Sequence, residues 1–178
     1  MFIRSRSVLR LMFVSVVVVL SLSFIAPARF EAAVSPDAMA KSVTIYRDNY
    51  GVPHVVGPTD ASVVFGLMYA QAEDNFWQLE EDHINKLGRA SELYGESRLM
   101  GDLMTRLFET NAAARAEYEK LSPSIRALCD AYAAGLNFYL GRNQQVKPRL
   151  ITKFEPWFPL ITGAPATGSL GVSQQEIR

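Results

Sequence analysis

The sequence predicts an α+β fold, mainly helical with one N-terminal β-hairpin, on the strength of three observations. Over residues 59–95, Val64, Met68, Ala72, Phe76, Leu79, His83, Leu87, Ala90 and Tyr94 follow one another by threes and fours, which puts them on one face of an α-helix. Residues 43–47 and 52–56 alternate apolar and polar side chains around Asp48-Asn49-Tyr50-Gly51, the pattern of two strands joined by a turn. Ser122-Pro123 then opens a further stretch of helical spacing with a cap followed by proline in the first turn.

Composition bounds the answer further. The chain has 178 residues, 49% apolar and 20% charged, enough for one domain with a core of its own. Its formal charge is zero and no basic stripe stands out, so nothing points to nucleic acid as a partner. Residues 1–28 have the form of a secretory signal: Arg4, Arg6 and Arg10, an apolar run over residues 11–25, then Ala26-Pro27-Ala28 as a small-x-small cleavage site. Cleavage after Ala28 predicts a periplasmic or secreted protein with no further hold on the membrane. Retention as an anchor is the alternative, because the run is short of the roughly twenty residues a bilayer needs but could span it if tilted. Without the leader arginines the rest is slightly acidic. Cys129 is the only cysteine, so no intrachain disulfide can form, and its place on an apolar face reads as a small core residue rather than a nucleophile.

Each element has its own justification. Residues 29–42, RFEAAVSPDAMAKS, are small, polar and unpatterned, a flexible lead-in. Pro53 lacks an amide hydrogen, which argues for an edge strand or for a position bonded on its other side, and His54 reads as a strand histidine bonded to a backbone group rather than as a ligand. The long helix can be capped by Thr59 or Asp60 and closed by Gly95. Val63, Leu67, Trp77 and Ile84 widen its seam. Glu73, Asp74, Gln78, Glu81, Asp82, Lys86, Arg89 and Glu92 lie mostly opposite. Glu80-Glu81-Asp82 points three carboxylates in different directions and reads as a solvated face, not a metal site. Phe76, Trp77 and Tyr94 form an aromatic stripe expected in the core, and Arg89 with Glu92 a surface or interchain ion pair. Leu103, Leu107, Ala114 and Tyr118 line a second helix, interrupted near Thr110-Asn111. Ile125, Leu128, Cys129, Tyr132, Leu136 and Tyr139 line a third, ended by Gly141. Residues 161–178, ITGAPATGSLGVSQQEIR, have a linker's composition.

The wording of these segments adds different information. IYRDNYGVPHVVG, FGLMYAQAEDNFWQLEE and LGRASELYG, in that order, resemble the opening of the penicillin acylase family of N-terminal-nucleophile hydrolases. LSPSIRALCDAYAAGLNFYL, with its Tyr132-Ala133-Ala134-Gly135-Leu136-Asn137 run, is similar to the corresponding α-chain helix, and Phe154-Glu155-Pro156-Trp157 to the family's glutamate-proline-tryptophan signature. The resemblance covers about residues 43–160, the α chain alone. It implies a place in an αββα sandwich that hydrolyses linear amides, such as the acyl side chains of β-lactams or acyl-homoserine lactones.

In that family a precursor is cut, and the new first residue of the β chain, usually serine, attacks the amide carbonyl with its own α-amine as base. The resemblance therefore implies a β chain of the same precursor as partner and a small acyl amide as substrate. It assigns no catalytic or cofactor-binding residue to this chain, which is expected to be inactive alone, with its apolar seam left for the β chain to cover. Gly168-Ser169 resembles a processing junction only weakly, and Leu170 to Arg178 are too few to build a catalytic sheet. Calcium is implied for the full-length enzyme; Glu176 sits at about the right distance from the glutamate-proline-tryptophan signature but in unmatched surroundings, so no metal ligand is assigned. A non-catalytic periplasmic helical binding module is the alternative.

Overall fold

The computed structural model describes residues 35–108 and 110–162. The leader, residues 29–34, Ser169 and Glu176 lie outside the described residues. Part of the expected lead-in is a helix: α1, Pro36–Ser42, starts at Ser35, whose hydroxyl accepts from the Ala38 amide, with proline in its first turn. Ser35-Pro36-Asp37 is a helix-start signal that the small residues around it obscure.

The hairpin follows. Strands β1, Thr44–Arg47, and β2, Pro53–Val56, pair antiparallel with Ile45 opposite Val55 and Tyr46 opposite His54. Asp48 builds the turn, its Oδ1 accepting the amides of Tyr50 and Val52 at 2.9 Å each, and Gly51 supplies the left-handed residue at φ 82°. His54 faces the Asp48 carboxylate at 3.4 Å rather than a backbone group. Val43 and Val55 press on α2 at Gly66, where a Cβ would come within 2.7 Å of both. Tyr46, Tyr50, Val52 and Val56 stay exposed.

Helix α2, Asp60–Lys86, opens on a capping box between Thr59 and Ser62. It is shorter than expected and not continuous. At Asn75 the backbone leaves helical geometry (φ −158°, ψ 73°), and the Asn75 side chain caps the next turn by accepting from the Gln78 amide. Arg47 bridges Glu73 and Asp74 just before the break, at 2.7 Å to each. The stop is Gly88, not Gly95: with φ 65° it ends the helix while the Arg89 amide reaches back to the Ile84 carbonyl. A short helix α3, Ser91–Tyr94, follows and Gly95 closes that one. The early stop turns Tyr94 away from the seam. Both Tyr94 and Trp77 are exposed, and of the expected aromatic stripe only Phe76 is core.

After a 3-10 turn over Gly95–Arg98 come α4, Leu99–Leu107, and α5, Thr110–Lys120. They are separate helices, the first ending at a Phe108 cap. Leu103 and Leu107 were expected to line the core with Ala114 and Tyr118. Instead they point outward and Asp102 and Thr105 point inward. Helix α6, Pro123–Arg142, runs one residue past Gly141 to an Asn143 cap.

The core forms where α6 crosses α2. Phe65 and Phe138 ring centroids stand 5.4 Å apart, Tyr69 and Tyr139 5.5 Å. Gly135 permits this approach, since a Cβ there would lie 2.4 Å from the Phe65 carbonyl oxygen. Ile151, Phe154, Trp157, Phe158 and Ile161, from the segment after α6, complete the core. The seam of α2 is thus covered by this chain's own α6 and C-terminal segment, not left exposed for a second chain. Among the described residues no helix is long and apolar enough to cross a membrane.

Candidate functional site

Several polar groups are drawn into the packing around α2. Glu80 lies one turn beyond Phe76 on the seam and is fully buried. Its Oε1 accepts the backbone N–H groups of Leu150 (2.8 Å) and Ile151 (3.0 Å). Its Oε2 has no hydrogen-bond partner, and the Arg149 Nε stands 3.6 Å from it. Arg149 also donates to Glu81 Oε2 at 2.6 Å and to the Tyr94 hydroxyl at 2.8 Å. The Tyr94 hydroxyl donates to Glu81 in turn, and that bond, with Arg149, holds the Glu81 carboxyl below its ordinary range. The solvated-face reading therefore holds for Asp82 and fails for Glu80. A buried carboxylate costs too much without partners, and two amides with a nearby guanidinium supply them.

His83 is the second such group. Its Nδ1 donates to the Leu79 carbonyl at 2.7 Å, so its Nε2 accepts from the Tyr132 hydroxyl at 2.8 Å. The imidazole stands edge-on to Phe154 at 5.1 Å and near Phe158 at 5.7 Å. Burial in this aromatic surround lowers its pKa, and burial likewise pushes the Tyr132 phenol up to about 12. Both ring nitrogens are used, which leaves the neutral imidazole no free lone pair for general-base work.

A third group closes the corner after α2. The buried Asp102 carboxylate accepts the Ala90 and Ser91 amides at 3.0 and 2.7 Å and the Ser91 hydroxyl. Burial works to raise its pKa, but the Ser91 and Ala90 bonds outweigh it and the net shift is downward. Asn111 donates to the Leu87 carbonyl at 3.0 Å. Cys129 is buried, its thiol pushed up by burial and then by Asp130, as befits a core residue. Arg89 and Glu92 form a two-pronged surface pair at 2.8 Å.

The two hydroxyls that meet a base, Ser91 at Asp102 and Tyr132 at His83, sit in networks whose other bonds go to backbone groups, and among the described residues no group of three or more His, Cys, Asp or Glu is placed to hold a metal. Calcium fares no better at the orphaned Glu80 oxygen, because a guanidinium 3.6 Å away already supplies the cation. What the polar groups do is fasten segments distant in sequence. Of these, Glu80 is read from sequence as solvated face, and its spacing of four residues after Phe76 is the one local signal of its burial. Asp102 and Arg149 give no local signal.

Residues 42–174 match the family model described as penicillin amidase. The chain belongs to the penicillin amidase family. The match runs past Leu160 into the tail. Penicillin acylase 2 proenzyme of a Pseudomonas species is 28% identical over 130 residues, covering 71% of this chain and 17% of that protein. Acyl-homoserine lactone acylase PvdQ of Pseudomonas savastanoi is 31% identical over 126 residues, 66% of this chain and 16% of that protein. This penicillin amidase chain thus spans about a sixth of the length of those curated relatives. Among solved structures, thermostable penicillin G acylase from Alcaligenes faecalis shares the fold with a TM-score of 0.63, covering 75% of this chain and 77% of that one at 23% identity.

Resembling segments from α2, α6 and the stretch after α6 meet at one place in the fold. Gly135 lets α6 touch α2, Tyr132 bonds His83, and Asn137 clamps Phe154 by accepting its amide and donating to its carbonyl, both at 2.8 Å. Trp157 is buried under the Arg115 guanidinium, 4.5 Å from its ring centroid.

Proposed function

We propose that this chain is the α-chain portion of an exported amidase that hydrolyses linear acyl amides, of the kind found in β-lactam side chains and acyl-homoserine lactones. The observation that carries the reading is the penicillin amidase match over residues 42–174, supported by relatives named as a penicillin acylase proenzyme and as acyl-homoserine lactone acylases. On this reading the nucleophile is the first residue of a β chain cut from the same precursor. Its α-amine, with an unperturbed pKa near 8, takes the proton as the hydroxyl attacks the amide carbonyl, and donors of that chain hold the oxyanion. The present chain contributes the layer around it: α2 locked to α6, and a two-stranded hairpin that pairs with no other strand among the described residues and can extend a sheet. Calcium remains possible in the complete enzyme, and no residue of this chain is assigned to it. The leader sends the precursor to the periplasm or beyond.

The test is an acyl-release assay on the purified chain with an aromatic acyl amide and a long-chain acyl-homoserine lactone. No release is expected from the chain by itself, and its mass is expected to begin at Arg29. Turnover by the purified chain alone would overturn the division of labour proposed.

A further inference from the structure

The hairpin is weakly anchored. No residue of β1 or β2 is fully buried, and two short strands do not hold together by themselves in water. Beneath them the packing is incomplete: a cavity of about 140 Å³ is lined by Ile45 of β1 together with Phe65 and Tyr69 of α2 and Phe138 of α6, and a void forfeits the contacts that a filled interior would make. Close apolar contact is made at Gly66, against Val43 and Val55. One charged group adds to it. Arg47 donates from Nη1 to the Gly51 carbonyl of its own turn at 2.9 Å, and its Nη2 stands 2.7 Å from both Glu73 Oε2 and Asp74 Oδ1. Among the described residues this is the only hydrogen-bonded or ionic tie between the hairpin and α2. Because α2 breaks at Asn75, Glu73 and Asp74 end a helical segment, and two carboxylates at the negative end of a helix are unfavourable unless a cation meets them. The Arg47, Glu73 and Asp74 side chains are 33, 49 and 47% exposed, so salt can screen them.

We propose that the hairpin is an arm latched to α2 by Arg47, one that opens as ionic strength rises while the crossing of α2 and α6 stays shut. The two regions are held by different forces. At the crossing and under it Ile84, Leu136 and Phe154 are fully buried, and apolar burial of that kind is not screened by salt. At the arm the seat is half-filled and the tie is electrostatic, and the screening length falls from roughly 30 Å at 0.01 M salt to roughly 3 Å at 1 M. Releasing Arg47 leaves Glu73 and Asp74 unpaired at the helix break and the strands without their polar hold on α2. The freed pair then frays, because nothing else in the described fold extends its ladder, and its amides exchange with solvent.

The test is hydrogen exchange of the full chain, read by mass spectrometry as the protection of peptides over residues 43–57 against that of peptides over residues 128–140 of α6. The variants are Arg47→Met, which keeps the stem and removes the charge, and Glu73→Gln with Asp74→Asn, which removes the charges it meets. At least about a fivefold loss of hairpin protection is expected for each, the measure of exposed ion pairs, with α6 as in wild type. Raising salt to about 1 M should bring the wild-type hairpin to the level of the variants and leave the variants where they are. Equal hairpin protection in wild type and variants overturns the latch. Protection lost from α6 together with the hairpin makes the two one cooperative unit and overturns the arm. A wild-type hairpin indifferent to salt overturns the electrostatic hold, even where Arg47→Met loosens the strands. The amidase reading stands or falls separately, on acyl release.

Discussion

Replacing Gly135 with alanine tests the packing on which the fold turns. An ideal Cβ at that position lies 2.4 Å from the Phe65 carbonyl oxygen and 3.0 Å from the Met68 Cβ. The nearest obstacle is helix backbone, which cannot swing aside as a side chain tip would. To reach ordinary contact α2 and α6 must part by about 1 Å, which loosens the Phe65–Phe138 and Tyr69–Tyr139 ring contacts together. Overpacking costs about 1–3 kcal/mol and at times more, while alanine in place of helical glycine returns roughly 1 kcal/mol. With a backbone atom in the way the upper part of the range applies, for a net loss of about 2 kcal/mol. In a domain of this size that lowers Tm by roughly 4–8 °C. Gly141→Ala, on the same helix with nothing within 4 Å of its Cβ, is the control and should be neutral or slightly stabilising. Thermal melts of both variants of the full chain, followed by circular dichroism, decide the matter. A Gly135→Ala protein that melts at or above the Gly141→Ala protein would refute the close crossing of α2 and α6.

Glu80→Ala strips the Leu150 and Ile151 amides of their acceptor and should cost about 3 kcal/mol. Glu80→Gln keeps a carbonyl there and should lose no more than half as much in urea titrations; equal losses would mean the amides are not what Glu80 serves. Phe76→Ala should cost about 3–5 kcal/mol, whereas Trp77→Ala, one residue on and exposed, should stay under about 1 kcal/mol; a reversed order in the same titrations would contradict the placing of Phe76 in the core and Trp77 outside it. His83 is neutral in the fold because burial depresses its pKa, so the unfolded chain binds the extra proton first. Its contribution is complete above the unfolded value of about 6.5 and declines as pH falls below it. Wild-type stability should therefore drop as pH falls below about 6.5, and His83→Gln should flatten that slope; identical slopes would remove His83 as the cause.

The sequence by itself determined the hairpin, a start of α2 at Thr59 or Asp60, the spacing of α6 and the family, because turn chemistry, caps and periodicity are local and the quoted segments lie in order along the chain. It could not locate the stop at Gly88. Gly88 and Gly95 are equivalent as local signals, and Asp102, fourteen residues after Gly88, fastens the corner that makes the first of them the end. Nor could it distinguish Glu80 from Asp82 by residue type: the partners that make burial of Glu80 tolerable come from Arg149, Leu150 and Ile151. The same holds for α4, whose apolar spacing reads as core from sequence and becomes surface once Asp102 and Thr105 are turned inward. Periodicity says that a helix has an apolar side, but only contacts from distant residues decide which side the protein keeps for itself.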